Sequence, residues 1–177
     1  MAMVKSIASH LKCVYHIQDY LEKNNRAIER DFLNFPTDRD HTRNWSYFFD
    51  KTREKNGKNR LYGGKSPVTY QQFIVSPDPR DEVDIDTLRA FVIEWANDLF
   101  GGGEGSLGAF EVAIVYHDDN KRGIPHAHVV VNNTDLESGN KLQIKNSQNK
   151  FLATHLQKLA LKYGLTAFET EGPAKLE

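Results

Sequence analysis

The sequence predicts an α+β fold in which helices cover an antiparallel sheet, as a two-layer or three-layer sandwich. Three runs rich in β-branched and aromatic residues, "VTYQQFIVS" (68–76), "GAFEVAIVYH" (108–117) and "PHAHVVVN" (125–132), have strand character. Two segments, 86–100 and 147–165, carry apolar residues at three- and four-residue steps and have helix character. Only the polar loop "DDNKRGI" separates the second and third strands, so they are expected to form a hairpin near the sheet centre.

In chain order, "SHLKCVYHIQDYLEK" (9–23) reads as a helix, with Ser9 as its cap and Leu11, Val14, Ile17 and Leu21 on one face. Residues 24–66 are polar and irregular apart from "NWSYFFDKTREKN" (44–56), a short helix with Trp45, Phe48 and Phe49 turned inward. After the strand 68–76, "SPDPRDEVD" is a turn whose acidic residues suit a helix N-terminus, and the helix 86–100 stops at "GGG". The hairpin 108–132 follows. The last helix, 147–165, has Phe151, Leu152, Leu156, Leu159 and Leu161 on a broad stripe and ends at Gly164. We place one domain over 1–165 and a C-terminal tail over 166–177, where "ETEGPAKLE" is expected to fray.

With 177 residues, about two-fifths of them apolar, the chain suits a single globular domain. No apolar run approaches the roughly 20 residues that span a bilayer, and no secretory leader is visible, so a cytoplasmic protein without membrane contact is expected. Cys13 is the only cysteine, which excludes an internal disulfide and a cysteine-based zinc site; it is read as a small buried hydrophobe. The net charge of −1 argues against a protein that coats DNA. Its distribution is uneven, however: +5 over 1–66, −9 over 67–119 and +3 over 120–177. The basic first third offers a local phosphate-binding face, or simply a solvated surface.

Candidate chemistry centres on His117, His126 and His128. Alternation along a strand puts His126, His128 and Val130 on one face, opposite Ala127, Val129 and Val131. The same rule groups His117 with Val115 and Ala113. In a hairpin the three imidazoles converge, and they could hold one cation with open positions for phosphate oxygens and water. Imidazole ligands are compatible with zinc, manganese, nickel or copper. Asp118 or Asp119 is available to orient a ligand through its distal N–H. The plainer alternative is a set of polar residues on a half-exposed sheet face.

The segment "YHDDNKRGIPHAHVVVNNTDLESGNKLQI" resembles the metal motif of plasmid mobilisation relaxases, in the HUH endonuclease superfamily. Its elements here are His117, Asp119, His126-Ala127-His128, Asn132 and Ser138-Gly139-Asn140-Lys141-Leu142. "YQQFIVSPDP" resembles the family's strand-and-serine segment, and "NKFLATHLQKLALKYGL" resembles the helix after its metal motif. "HIQDYLEKNNRA" is similar to the segment bearing the nucleophilic tyrosine. The resemblance covers roughly 5–165. The loop after His117 is slightly longer than usual, which keeps Asp118 beside Asp119 as the family's aspartate.

The resemblance implies an RRM-like palm and a metal-dependent transesterase that nicks single-stranded DNA at a transfer origin. A tyrosine would become linked to the 5′ phosphate, leaving a 3′ hydroxyl, and the strand could be rejoined. The metal expected is manganese or magnesium, with zinc or nickel as alternatives, and accessory relaxosome proteins are possible partners. Tyr20, in "DYL", matches the family pattern better than Tyr15; the alternative for either is a core aromatic with its hydroxyl at the surface. Asp119 joins Tyr20 as a catalytic residue. Arg26, Arg30, Lys121 and Arg122 are the candidate DNA contacts, with Arg39, Arg43 and Lys65 nearby in sequence. Trp45, Tyr47 or Tyr62 could stack on bases. Ser76 is read as a turn residue, because no G-x-S-x-G context surrounds it. A rolling-circle replication initiator would share the chemistry, and a non-catalytic origin-binding protein would share the binding. A histidine-triad hydrolase would need a third histidine where Val130 stands.

Overall fold

A computed structural model describes residues 3–9, 14–57, 68–142, 144 and 146–170. Its strands are β1 (Met3–Ser9), β2 (Glu29–Leu33), β3 (Tyr70–Ser76), β4 (Val112–His117), β5 (His126–Asn132) and β6 (Glu169–Thr170). Its α-helices are α1 (Tyr15–Glu22), α2 (Arg39–Arg43), α3 (Trp45–Lys55), α4 (Ile85–Phe100) and α5 (Asn146–Lys162). The sheet order is β2-β4-β5-β3-β1-β6. Every neighbouring pair is antiparallel except β1 with β6.

Both faces of the sheet are covered, so the sandwich has three layers. Val112, Ile114 and Tyr116 of β4, with Ala127, Val129 and Val131 of β5, pack in one core with α4 and α5. Ala113, Val115 and Val130 face the opposite way, into a smaller core with Val14 just before α1, Ile17 and Leu21 of α1, and Trp45 and Phe49 of α3. Strand alternation alone accounts for this division. The hairpin β4–β5 lies inside the sheet, as the sequence suggests, and its buried runs satisfy their backbone groups on both sides.

Helix boundaries follow local signals where those are strong. The Asp84 carboxylate caps α4 by accepting from Thr87 N–H at 2.7 Å, and Gly101 ends it. Gly164, at φ +69°, follows α5. Trp45 and Phe49 are fully buried and Phe48 is partly so, which fits the inward face expected of α3.

Four expectations need correction. Ser9 does not cap a helix: it ends β1, and α1 begins only at Tyr15, with Val14 before it. The stretch 24–66 is not irregular throughout, since it contains β2 and α2. Ser76 is not a turn residue but the last residue of β3, paired with Met3. Trp45 is fully buried and unavailable for stacking on bases. Leu11, Cys13, Lys58, Arg60, Tyr62 and Lys65 lie outside the described residues.

Residues 166–170 continue to pack on the domain. Thr166 donates its N–H (2.8 Å) and hydroxyl (2.7 Å) to Asp81, and buried Phe168 stacks on Phe91 at 5.5 Å. Among the described residues no helix is long and apolar enough to cross a membrane.

Candidate metal centre

The register of β4 and β5 sets His117 directly opposite His126, and His128 opposite Val115. The three rings therefore meet at one end of the smaller core. Their centroids are 4.6 Å (117–128), 5.2 Å (126–128) and 5.5 Å (117–126) apart. One nitrogen from each lies within 4.8 Å of those from the other two. His117 and His128 are buried, and His126, partly exposed, stands at the mouth.

Each ring has one nitrogen tied to a neighbour, which decides which nitrogen remains free. His117 Nε2 lies 2.7 Å from the Leu21 carbonyl, to which it can only donate, so Nδ1 keeps its lone pair. His126 Nδ1 approaches the Ile124 carbonyl at 3.3 Å, which leaves Nε2 as its free nitrogen. His128 Nδ1 lies 3.1 Å from Nε2 of the Gln72 carboxamide. Among the described residues, His117 Nδ1 and His128 Nε2 are buried with no hydrogen-bond partner.

Buried polar atoms without partners are costly, and two facing each other within a histidine cluster mark a place for a ligand. Three neutral imidazoles with converging lone pairs suit a divalent transition ion, so the residues present fit such a group. Burial lowers the pKa of His117, against the opposing pull of its bond to Leu21. His128 is pushed down to about 3, first by burial and then by the neighbouring charges of His117, His126 and Arg26. Both rings thus stay neutral and ready to ligate at ordinary pH.

The bond from His117 to Leu21 joins the cluster to the end of α1, where Tyr20 is the preceding residue. Tyr20 is 52% exposed and so accessible to a polymer substrate. The Arg26 guanidinium lies 5.0 Å from the Tyr20 ring centroid and donates to the Tyr20 carbonyl at 3.1 Å. It also binds the Asp119 carboxylate at 2.9–3.0 Å. The Lys23 ammonium stands 5.4 Å from the same ring. Tyr15, equally open, begins α1 and stacks edge-on with His16, more than one helical turn back from Leu21.

The other sequence candidates are dispersed. Arg30 donates to Glu22 and to the Thr42 carbonyl, bracing β2 against α1 and α2. Lys121 and Arg122 are exposed at the hairpin tip, which Asn120 organises by accepting from Arg122 and Ile124 N–H. Tyr47 is exposed on α3 with Lys51 5.2 Å from its ring. The expectation that an aspartate orients a histidine is replaced: Leu21, Ile124 and Gln72 contact the distal nitrogens, and Asp119 engages Arg26 instead. Burial pushes the Asp119 carboxyl up, but Arg26 and His117 beside it together hold it below the usual range. Sequence reading missed Gln72. Strand parity could have found it, since Gln72 and His128 share a face once β3 is known to pair with β5.

A family model described as the nuclease domain of MobA/VirD2-like relaxases matches residues 15–165. No curated protein matches the chain. Among solved structures, one describing the molecular basis of vancomycin resistance transfer in Staphylococcus aureus has TM-score 0.61 and 14% identity, covering 98% of this chain and 100% of that one. The MobM relaxase domain bound to plasmid pMV158 oriT DNA, with manganese, has TM-score 0.58 and 15% identity, covering 99% and 94%. The conjugative relaxase TrwC with oriT DNA, in a metal-bound structure, has TM-score 0.55 and 11% identity, covering 91% and 69%. At these identities the likenesses establish the fold.

Proposed function

Since the chain belongs to the relaxase family of MobA/VirD2-like nuclease domains, DNA-nicking enzymes of the HUH type that act at a mobilisation origin, we propose that His117, His126 and His128 hold one divalent ion beside Tyr20, which attacks the DNA strand. The observation that carries this reading is the pair of buried, partnerless nitrogens at the meeting point of the three rings. Manganese in the solved MobM structures makes it the first ion to test, and their bound oriT DNA supports single-stranded origin DNA as the substrate to try.

When bound, the ion supplies Lewis-acid polarisation of a phosphodiester. The protein supplies position and charge. Tyr20 forms its Oη–P bond as the bond from phosphorus to the departing 3′ oxygen breaks. The 5′ phosphate stays on the tyrosine, and the 3′ oxygen leaves as a hydroxyl after taking up a proton. The phenol proton passes to water, and Asp119 stays ion-paired with Arg26. Asp119 acts instead by anchoring Arg26 beside the Tyr20 ring, where the guanidinium can offer its remaining donors to phosphate. Lys121 and Arg122, exposed in the loop that leads to His126, offer two further cations to the strand. Attack of the 3′ hydroxyl on the phosphotyrosine reverses the reaction and rejoins the strand.

The test is incubation of the protein with a library of single-stranded oligonucleotides and manganese. A protease-sensitive covalent DNA adduct is expected, absent from Tyr20→Phe and strongly reduced in His126→Ala. An adduct that survives Tyr20→Phe and disappears in Tyr15→Phe would overturn the nucleophile assignment. Oligonucleotide binding without metal and without any adduct would favour a non-catalytic origin-binding protein.

A further inference from the structure

Resting on the reading that the three histidines hold one ion, we propose that Gln72 is the positioning residue that presents His128 to the metal and limits how tightly the ion is held. Gln72 lies on β3, where it pairs with Val130 while Ile74 pairs with His128. It is therefore the diagonal neighbour of His128 on the same face, and it is 6% exposed. The carboxamide atom that stands 3.1 Å from His128 Nδ1 is Gln72 Nε2, an N–H₂ donor.

A neutral imidazole carries one N–H and one lone pair. His128 Nε2 points into the cluster without a partner, so it can ligate only when the proton sits on Nδ1. That tautomer needs an acceptor at Nδ1, and the carboxamide oxygen of Gln72 provides one once the amide is turned over from its orientation in this structure. In the orientation present, the N–H₂ donates to Nδ1, and the ring proton sits on Nε2. Oxygen and nitrogen of a carboxamide are nearly interchangeable in shape, so the hydrogen-bond network chooses between them. Gln72 can thus partner the ring in either tautomer, and ligation selects the one in which its oxygen accepts.

Charge explains why an amide here differs from a carboxylate. A carboxylate hydrogen-bonded to a metal-ligating histidine raises the basicity of the ring and strengthens the hold on the metal. Gln72 orients the ring without adding negative charge. Three imidazoles and one carboxamide leave both charges of the ion available to phosphate oxygens.

The experiment compares the wild type with Gln72→Met, Gln72→Glu and His126→Ala. Manganese affinity is measured by titration calorimetry, and the zinc-loaded proteins are followed by proton and nitrogen magnetic resonance of the histidine rings. Gln72→Met is expected to bind manganese about 10–100-fold more weakly. It should also lose the slowly exchanging Nδ1–H signal of His128 seen in the zinc-loaded wild type. Gln72→Glu should bind at least as tightly as the wild type and retain that signal, which a merely space-filling role would not predict. Wild-type affinity and an intact Nδ1–H signal in Gln72→Met would overturn the role of Gln72 while leaving the three-histidine site standing. Should Gln72→Met fail to fold, weaker binding by folded Gln72→Glu would overturn it. A wild type that binds neither ion, or His126→Ala that binds as tightly, would overturn the underlying site.

Discussion

His128 illustrates how burial prepares a ligand before any ion arrives. Enclosed between strands and beside two other imidazoles, it resists protonation until about pH 3, while in the unfolded chain it titrates near its ordinary value of 6.5. Between these limits the unfolded chain binds a proton that the folded chain refuses. In the metal-free protein, stability is therefore intact above about pH 6.5 and declines as pH falls towards 3. Carboxylates titrate over the lower part of that range, so the informative quantity is a difference between proteins. Thermal melts of the wild type and His128→Asn should show the wild type losing more stability on acidification from pH 7 to 4. Parallel pH profiles would contradict the burial account. This site was half legible in the sequence. Alternation identified the shared face, but the Leu21 and Ile124 carbonyls, which select the free nitrogens, depend on tertiary placement.

Among the elements, α1 bears most directly on the chemistry. Eight residues make a helix too short to persist alone, so its neighbours must hold it. Leu21 and Ile17 bury its apolar side, and the backbone N–H of Val14, just before the helix, donates to Asp50 at 3.1 Å. Gln18 is the central polar tie. Its amide oxygen accepts from the Ser46 N–H at 3.0 Å, near the start of α3, and its N–H₂ donates to the Arg43 carbonyl at 2.9 Å. Replacing it with leucine leaves the buried Ser46 N–H without this acceptor, at a cost of about 1–3 kcal/mol. Gln18→Leu should lower Tm by roughly 2–4 °C per kcal/mol and reduce adduct formation, with manganese affinity little changed. An unaltered Tm would mean that α1 docks through its apolar side alone.

Why β2 and the start of α1 escaped the sequence reading is also an element-level matter. "ERDFL" lacks an apolar alternation because β2 is an edge strand held by tertiary partners. Asp31 receives two bonds from Arg89 of α4, at 2.8 and 3.0 Å, and Arg30 reaches Glu22 and Thr42. Conversely, the apparent periodicity through 9–23 overran a real boundary, since strand β1 occupies Met3–Ser9. Local pattern is decisive where a segment is buried by its own periodicity, as in α4, β4 and β5. It fails where pairing and ion pairs decide the conformation.

At the scale of the whole molecule, two hydrophobic cores of unequal size divide the labour. The larger, with α4 and α5, makes one face of the sheet a firm support. The smaller holds the α1 and α3 layer over the other face and gives way at its end to the three histidines. The α+β class and the central hairpin were legible because β4 and β5 are adjacent in sequence. The order β2-β4-β5-β3-β1-β6, which brings Gln72 beside His128 and α1 beside His117, depends on contacts made across the chain. The central claim is that this topology gathers three imidazoles around one divalent ion. Anomalous diffraction from crystals soaked in manganese tests it most directly. The account predicts a single strong peak bonded to His117 Nδ1, His126 Nε2 and His128 Nε2; a peak elsewhere, or one lacking any of these three nitrogens, would contradict it.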